Sequence, residues 1–263
     1  VDSYEGTVPG PRGHYANKVF RESKVVLIHE RWRALASKAN EIEALRKFDS
    51  ATVANAIERT GIAEATEGFG SLELRCQFPD LPPMVGLAVT CTHDSTSRDP
   101  GPSKLHDLID MVEATAVQGP VVVVCQYVGA QRDRGCFLGD MFARLLQRLG
   151  GVGVVTDTGV RDLKGIRQRA SGMQVFAAGT VASHGRPRIV DVDLHVCVGG
   201  LEVKPGDVVH GDANGVVRVP PAAAARVAEE AENVLSTEEG VFRLMQEDPL
   251  PLGELKAKFF RHN

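Results

Sequence analysis

The chain has little that would serve a nucleic acid, a membrane or a disulfide scaffold. Lys and Arg number 30 against 34 Asp and Glu, a formal net charge of −4, so the basic stripe of a nucleic-acid footprint is missing. No apolar run approaches the length of a membrane span. The start, Val1-Asp2-Ser3-Tyr4-Glu5, has no initiator Met and no positive region leading into an apolar one, and no signal peptide is expected. Cysteines are five in number, an odd count, and none falls in a CxxC pair. Cys91, Cys125 and Cys197 sit in apolar strand-like runs and are expected as buried thiols of a reducing, cytoplasmic compartment. Cys136 lies just before Gly139, where packing is a stronger reading than reactivity. No His/Cys pattern has zinc spacing. Gly150-Gly151-Val152-Gly153 precedes a strand instead of following one, which excludes a dinucleotide fingerprint. No internal repeat is visible. Aromatic residues are scarce at 5 %, but the hydrophobic share of 43 % and charged share of 24 % are those of an ordinary globular protein.

What is present reads as one main α/β domain. Residues 1–20, rich in Gly, Pro and polar residues, are expected to lie loosely on the surface. Glu30–Lys47 is predicted helical, with Trp32, Leu35, Ala36, Ala39, Ile42 and Leu45 on one face. Asp49-Ser50 can cap a helix over Ala51–Arg59. Pro79–Pro83 leads into the core. Strands are predicted at Val85–Thr92, Val121–Tyr127, Val152–Asp157, Val175–Thr180, His195–Val198 and Val208–Val219, the last folded at Asn214-Gly215. Helices at Lys104–Val117 and Gly139–Leu149 separate the first three strands. Pro221–Leu235 is predicted helical, with a further helix at Thr237–Gln246. The expected division is an extension and helix over 1–45, a domain over 46–255 and a tail over 256–263.

The most informative stretch is Gly139-Asp140-Met141-Phe142-Ala143, then Gly151-Val152-Gly153-Val154-Val155-Thr156-Asp157, then Arg161-Asp162. A glycine loop opening a helix offers free amides and the positive end of the helix dipole to a carboxylate or phosphate. Met141, Phe142, Leu145, Leu146 and Leu149 are predicted to form the apolar face of that helix. A β-α-β crossover would bring 139–142 and 157–162 to one sheet edge, so that Asp140, Arg161 and Asp162 converge on a small anion. Taken alone, Asp140 is also an ordinary first-turn acid, and Arg161-Asp162 an ordinary surface ion pair. Asp157 ends a strand near the site, Asp212 precedes a turn it can shape, and His184 lies in the basic loop Ser183–Arg188.

The segment Gly139–Asp162 resembles the RraA-like family, which includes 4-hydroxy-4-methyl-2-oxoglutarate aldolases and regulators of ribonuclease E activity. Val203-Lys204-Pro205-Gly206-Asp207 with Gly211-Asp212-Ala213-Asn214-Gly215-Val216-Val217, and Gly86-Leu87-Ala88-Val89-Thr90, are similar to further family motifs in family order. The chain departs from the pattern at Gly165, where the family has an acid, and in the loop His93–Pro102. The resemblance implies a compact α/β/α layered fold of the swivelling β/β/α type, with flanking N- and C-terminal helices. It implies a trimer or pair of trimers, and a divalent-metal-dependent lyase cleaving or decarboxylating a 2-oxo acid through pyruvate enolate. By the same resemblance, Gly139, Met141, Phe142 and Arg161 bind substrate, Asp162 holds Mg²⁺ or Mn²⁺, and Asp140 and Arg161 act in catalysis. An acid near Glu238 and Glu239 of a neighbouring subunit would complete the site. A different metal-assisted reaction on this scaffold and a non-catalytic binding protein are the alternatives.

Overall fold

A valine run sets the centre of the molecule. Val121–Tyr127 (β3) is covered on both faces, as expected of β-branched residues inside a parallel sheet. The structure, a computed structural model, describes residues 39–99 and 101–259; the predicted helix before Ala39 and the segment 1–20 lie outside them. The elements before β3 are α1 (Ala39–Ala44), α2 (Ser50–Arg59), β1 (Arg75–Cys76), β2 (Met84–Asp94) and α3 (Leu105–Ala116). After it come β4 (Cys136–Leu138), α4 (Asp140–Arg148), β5 (Gly151–Thr156), β6 (Gly159–Val160), α5 (Leu163–Arg169), β7 (Gln174–Ala177) and β8 (Gly179–Thr180). The chain continues through β9 (Arg188–Val192), β10 (Val196–Val198), β11 (Leu201–Val203), β12 (Val208–Asp212), β13 (Gly215–Val219), α6 (Ala224–Met245) and α7 (Leu252–Phe259).

The main sheet is mixed, in the order β1-β7-β5-β3-β2-β12-β13. Strands β2, β3, β5 and β7 run parallel. One edge of β2 is shared: β12 pairs antiparallel with Met84–Leu87, and β9 with Cys91–Asp94. Alternation along the strands sorts the core. Val121, Val123 and Cys125 join Leu108, Leu146, Val53 and Val227 of the helices, while Val122 and Val124 face Val196, Val198, Leu201 and Val203 of the β10–β11 hairpin. This is the expected compact α/β/α layered fold of the swivelling type, flanked by helices at both ends.

Local expectations meet several corrections. Asp49 does cap α2, its carboxylate accepting from the Thr52 amide at 2.7 Å. The stretch from Ala224 to Met245 is one helix; no glycine or proline stop interrupts it before Gly240. The β12–β13 turn is Ala213-Asn214, because Asp212 pairs with Gly215 and the Asp212 carboxylate accepts from the Asn214 amide at 2.8 Å. Cys91 and Cys125 are buried as expected, but Cys197 is half-buried, since its hairpin lies at the surface of the second cluster. The apolar stripe of α4 is narrower than predicted: Ala143 and Leu146 are buried, while Met141 is 84 % exposed and Leu145 exposed. At 100° per residue Met141 lies well off the line through Phe142, Leu146 and Leu149.

Candidate active site

The residues singled out above do meet, through a different sheet from the one expected. Strands β4, β6 and β8 form a separate three-stranded parallel sheet, and the Arg161 amide donates to the Leu138 carbonyl at 2.8 Å. That bond sets Arg161-Asp162 beside the turn into α4. Gly139 is the N-cap there and supplies no side-chain cap. The amides of Asp140, Met141 and Phe142 therefore open the helix, the first intrahelical bond running from the Ala143 amide to the Gly139 carbonyl. A β-carbon on Gly139 would stand 3.1 Å from Asp162 Oδ2 and 3.4 Å from Arg161 Nε. Glycine thus lets the pair lie close over the helix start.

Arg161 Nε lies 3.0 Å from Asp162 Oδ2, and both side chains keep about a third of their surface exposed. Arg161 Nη1 also points to the Ala182 carbonyl at 3.5 Å. Asp162 has left-handed backbone (φ 58°, ψ 35°), precedes α5 and makes no cap bond to it. Asp and Asn tolerate this conformation better than other non-glycine residues, and such strain often marks functional positions. Asp140 turns instead to α5, its Oδ2 2.6 Å from Arg169 Nη1.

These residues line one cleft of about 290 Å³ that contains Gly139, Asp140, Met141, Phe142, Arg161 and Asp162. His184 lines it too, with Nδ1 2.8 Å from the Gly185 carbonyl. So do three residues that the sequence reading did not assign to the site: His93, Cys136 and Arg188. Arg188 Nη2 lies 3.7 Å from Asp94 Oδ2, and its Nε is buried without a partner among the described residues. Cys136 is in a strand and buried; burial raises its thiol pKa, against the lowering effect of the Arg161 cation, which suits packing better than nucleophilic attack. Burial also holds His93 neutral, its pKa pushed down to about 4.

Other candidates fall outside the cleft. Asp157 accepts from the Tyr127 amide at 2.8 Å, and burial raises its pKa. Asp212 accepts from the Ser50 amide and hydroxyl at 2.8 and 2.7 Å, tying α2 to the hairpin turn. Glu239 pairs with Arg243 on α6, and Glu238 lines a different hollow with Arg59 and Phe242.

Among the described residues no group of three or more His, Cys, Asp or Glu side chains is placed to hold a metal ion. A single carboxylate still fits a hard, largely hydrated cation, because Mg²⁺ keeps several waters and needs only one or two protein carboxylates. Asp162 meets that requirement: it makes no cap bond and faces the cleft.

The family profile described as RraA-like, Aldolase/RraA, matches residues 50–218. The chain belongs to the RraA-like family. A Halalkalibacterium halodurans protein named "Putative 4-hydroxy-4-methyl-2-oxoglutarate aldolase" is 26 % identical over 115 residues, 43 % of this chain and 54 % of that one. An Ectopseudomonas mendocina protein of the same name is 33 % identical over 105 residues, 40 % of this chain and 62 % of that one. The matches thus span 54–62 % of the length of these curated relatives. Among solved structures, Streptomyces coelicolor RraAS2, described as an unusual member of the RNase ES inhibitor RraA protein family, superposes with TM-score 0.62 at 28 % identity. That superposition covers 79 % of this chain and 98 % of the other. An uncharacterized Pseudomonas syringae protein, at 22 % identity and TM-score 0.61 over 78 % of this chain and 88 % of that one, shares the fold. Among the described residues no helix is long and apolar enough to cross a membrane.

Proposed function

We propose that this RraA-like protein is a divalent-metal-dependent lyase that cleaves a 4-hydroxy-2-oxo acid or decarboxylates an oxaloacetate-like acid. The observation that carries the reading is the Arg161–Asp162 pair, 3.0 Å apart, beside the uncapped N-terminus of α4. The open amides at Met141 and Phe142 donate to the substrate carboxylate. Arg161 meets a substrate oxygen with a planar fork that lysine cannot reproduce. Asp162 would hold Mg²⁺ or Mn²⁺, which when bound polarises the 2-oxo group. In either reaction a C–C bond breaks and its electron pair enters pyruvate enolate. An aldehyde or ketone leaves in cleavage, after the 4-hydroxyl loses its proton; CO₂ leaves in decarboxylation. Arg161 stabilises the oxygen on which negative charge grows, and Asp140, fixed by Arg169, orients a water for proton transfer. The protein is cytoplasmic and assembles as a trimer or pair of trimers, with an acid from a neighbouring subunit at the site.

The test is pyruvate release from oxaloacetate and from a 4-hydroxy-2-oxo acid, with Mg²⁺, with Mn²⁺ and with EDTA. Release that needs the metal supports the reading; no release from either substrate removes it. A second reading, a protein that binds an oxo acid without turnover, is favoured by one observation: Asp140 is engaged by Arg169 at 2.6 Å. Binding without release would select it.

A further inference from the structure

His93 has no part in the reading above, yet its surroundings are unusual for a buried histidine. It stands at the carboxyl end of β2, where the register against β9 shifts between Thr92 and His93. Irregularities of this kind re-aim a side chain and are common beside active sites. Ligands of open α/β sheets gather at the carboxyl ends of parallel strands. The residue is 1 % exposed and forms part of the wall of the cleft that holds Arg161 and Asp162. Neither ring nitrogen has a hydrogen-bond partner among the described residues. The adjacent carboxylate, Asp94, is taken up by the Thr96 and Ser97 amides and the Tyr127 hydroxyl. By contrast His210, equally buried, places Nε2 3.0 Å from the Phe48 carbonyl.

The packing around His93 is aromatic. Its ring meets Phe137 edge-on at 5.2 Å between centroids and Tyr127 at 5.8 Å. Phenylalanine would suit these neighbours without leaving buried polar atoms unmet, which is costly. No hydrogen bond among the described residues fixes the ring about χ2, a soft torsion.

We propose that His93 is a substrate-contacting residue whose imidazole N–H donates a hydrogen bond to an oxygen of the oxo acid held by Arg161. The inference rests on the oxo-acid reading of the cleft. It makes the β2 wall a specificity element: an oxygen-bearing ligand satisfies the imidazole, and an apolar isostere leaves it unmet.

The experiment uses the full chain with Mg²⁺ and two probes, pyruvate and oxalate. Calorimetry gives their affinities for wild type, His93→Phe, His93→Gln and Arg161→Ala, beside melting curves. Nitrogen-15 spectra follow the imidazole of wild type as oxalate is added. The expected result is that His93→Phe melts at or above the wild-type temperature and binds oxalate at least about 10-fold more weakly. His93→Gln, which restores a donor, should recover part of the loss, and the His93 nitrogen resonances should shift at saturation. A folded His93→Phe that binds as tightly as wild type overturns the proposal. So do unchanged nitrogen resonances, which decide the matter if His93→Phe does not fold. If wild type binds neither probe, or binds no better than Arg161→Ala, the oxo-acid reading itself fails and this inference with it.

Discussion

The carboxylate of Asp140 occupies the space that a side chain at Gly165 would need. A β-carbon there would stand 2.6 Å from Asp140 Oδ2 and 3.0 Å from Arg169 Nη1, the two atoms of a 2.6 Å ion pair. The absence of a side chain at Gly165 therefore makes room for a pairing that joins α4 to α5. Gly165→Ala should move Asp140 without unfolding the chain. Alanine favours the helix by about 1 kcal/mol, which offsets part of the crowding. We expect a melting temperature close to wild type and kcat/KM lower by up to about 10²-fold, as for a small misplacement in a site. Unchanged pyruvate release would show that the position of Asp140 does not matter.

Metal affinity should depend on Asp162. Asn is the better probe than Ala, because it tolerates the left-handed backbone recorded at this position while removing the charge. Mn²⁺ titrations of Asp162→Asn should show binding weakened beyond detection, with folding intact by circular dichroism. Equal affinity for wild type and variant would remove Asp162 as the ligand.

The proximity of the candidate residues was legible in the sequence, and the framework around them less so. The spacing from Gly139-Asp140 to Arg161-Asp162 indicated convergence correctly. The small sheet that produces it was not legible, because strands as short as Gly159–Val160 and Gly179–Thr180 carry no measurable period. Long patterns were read well: Val121–Tyr127 was predicted to the residue, and the α3 helix to within one residue at either end. Met141 was misassigned because a nine-residue helix offers too few turns to define its buried stripe. His93 was missed because the polar string His93-Asp94-Ser95-Thr96-Ser97 reads as loop. In the fold β2 runs on to Asp94, held there by β9, a long-range pairing that no local pattern reports.

Stability should fall in mild acid partly through His93. Its folded pKa is about 4, below the ordinary value of 6.5, because burial disfavours the charged ring. Above pH 6.5 neither state takes the proton and there is no effect. Between pH 6.5 and 4 the unfolded chain binds a proton that the folded chain does not, so stability is lost as pH falls. The loss approaches on the order of 3 kcal/mol near pH 4. Urea unfolding of wild type and His93→Phe at pH 7.5, 5.5 and 4.5 should show a shallower pH dependence in the variant. Parallel curves would place the acid sensitivity elsewhere, first at His210, whose pKa burial also lowers.

Self-association is expected at micromolar concentration, since the proposed site draws an acid from a neighbouring subunit. Sedimentation velocity should give a trimer or hexamer. A fully active monomer would contradict the shared site.

In the proposed reaction Arg161 binds the oxo-acid head and stabilises charge as the C–C bond breaks. Its fork is held by Asp162 at 3.0 Å and aimed at the Ala182 carbonyl at 3.5 Å, so a single charge in its place would lose the geometry. The ion pair is partly exposed and contributes at most about 1 kcal/mol to folding. The most direct measurement is Mg²⁺-dependent pyruvate release by Arg161→Lys, read beside its melting curve. We expect kcat/KM lower by on the order of 10²-fold or more with the melting temperature nearly unchanged. Normal turnover by Arg161→Lys would contradict it and leave Arg161 a bystander.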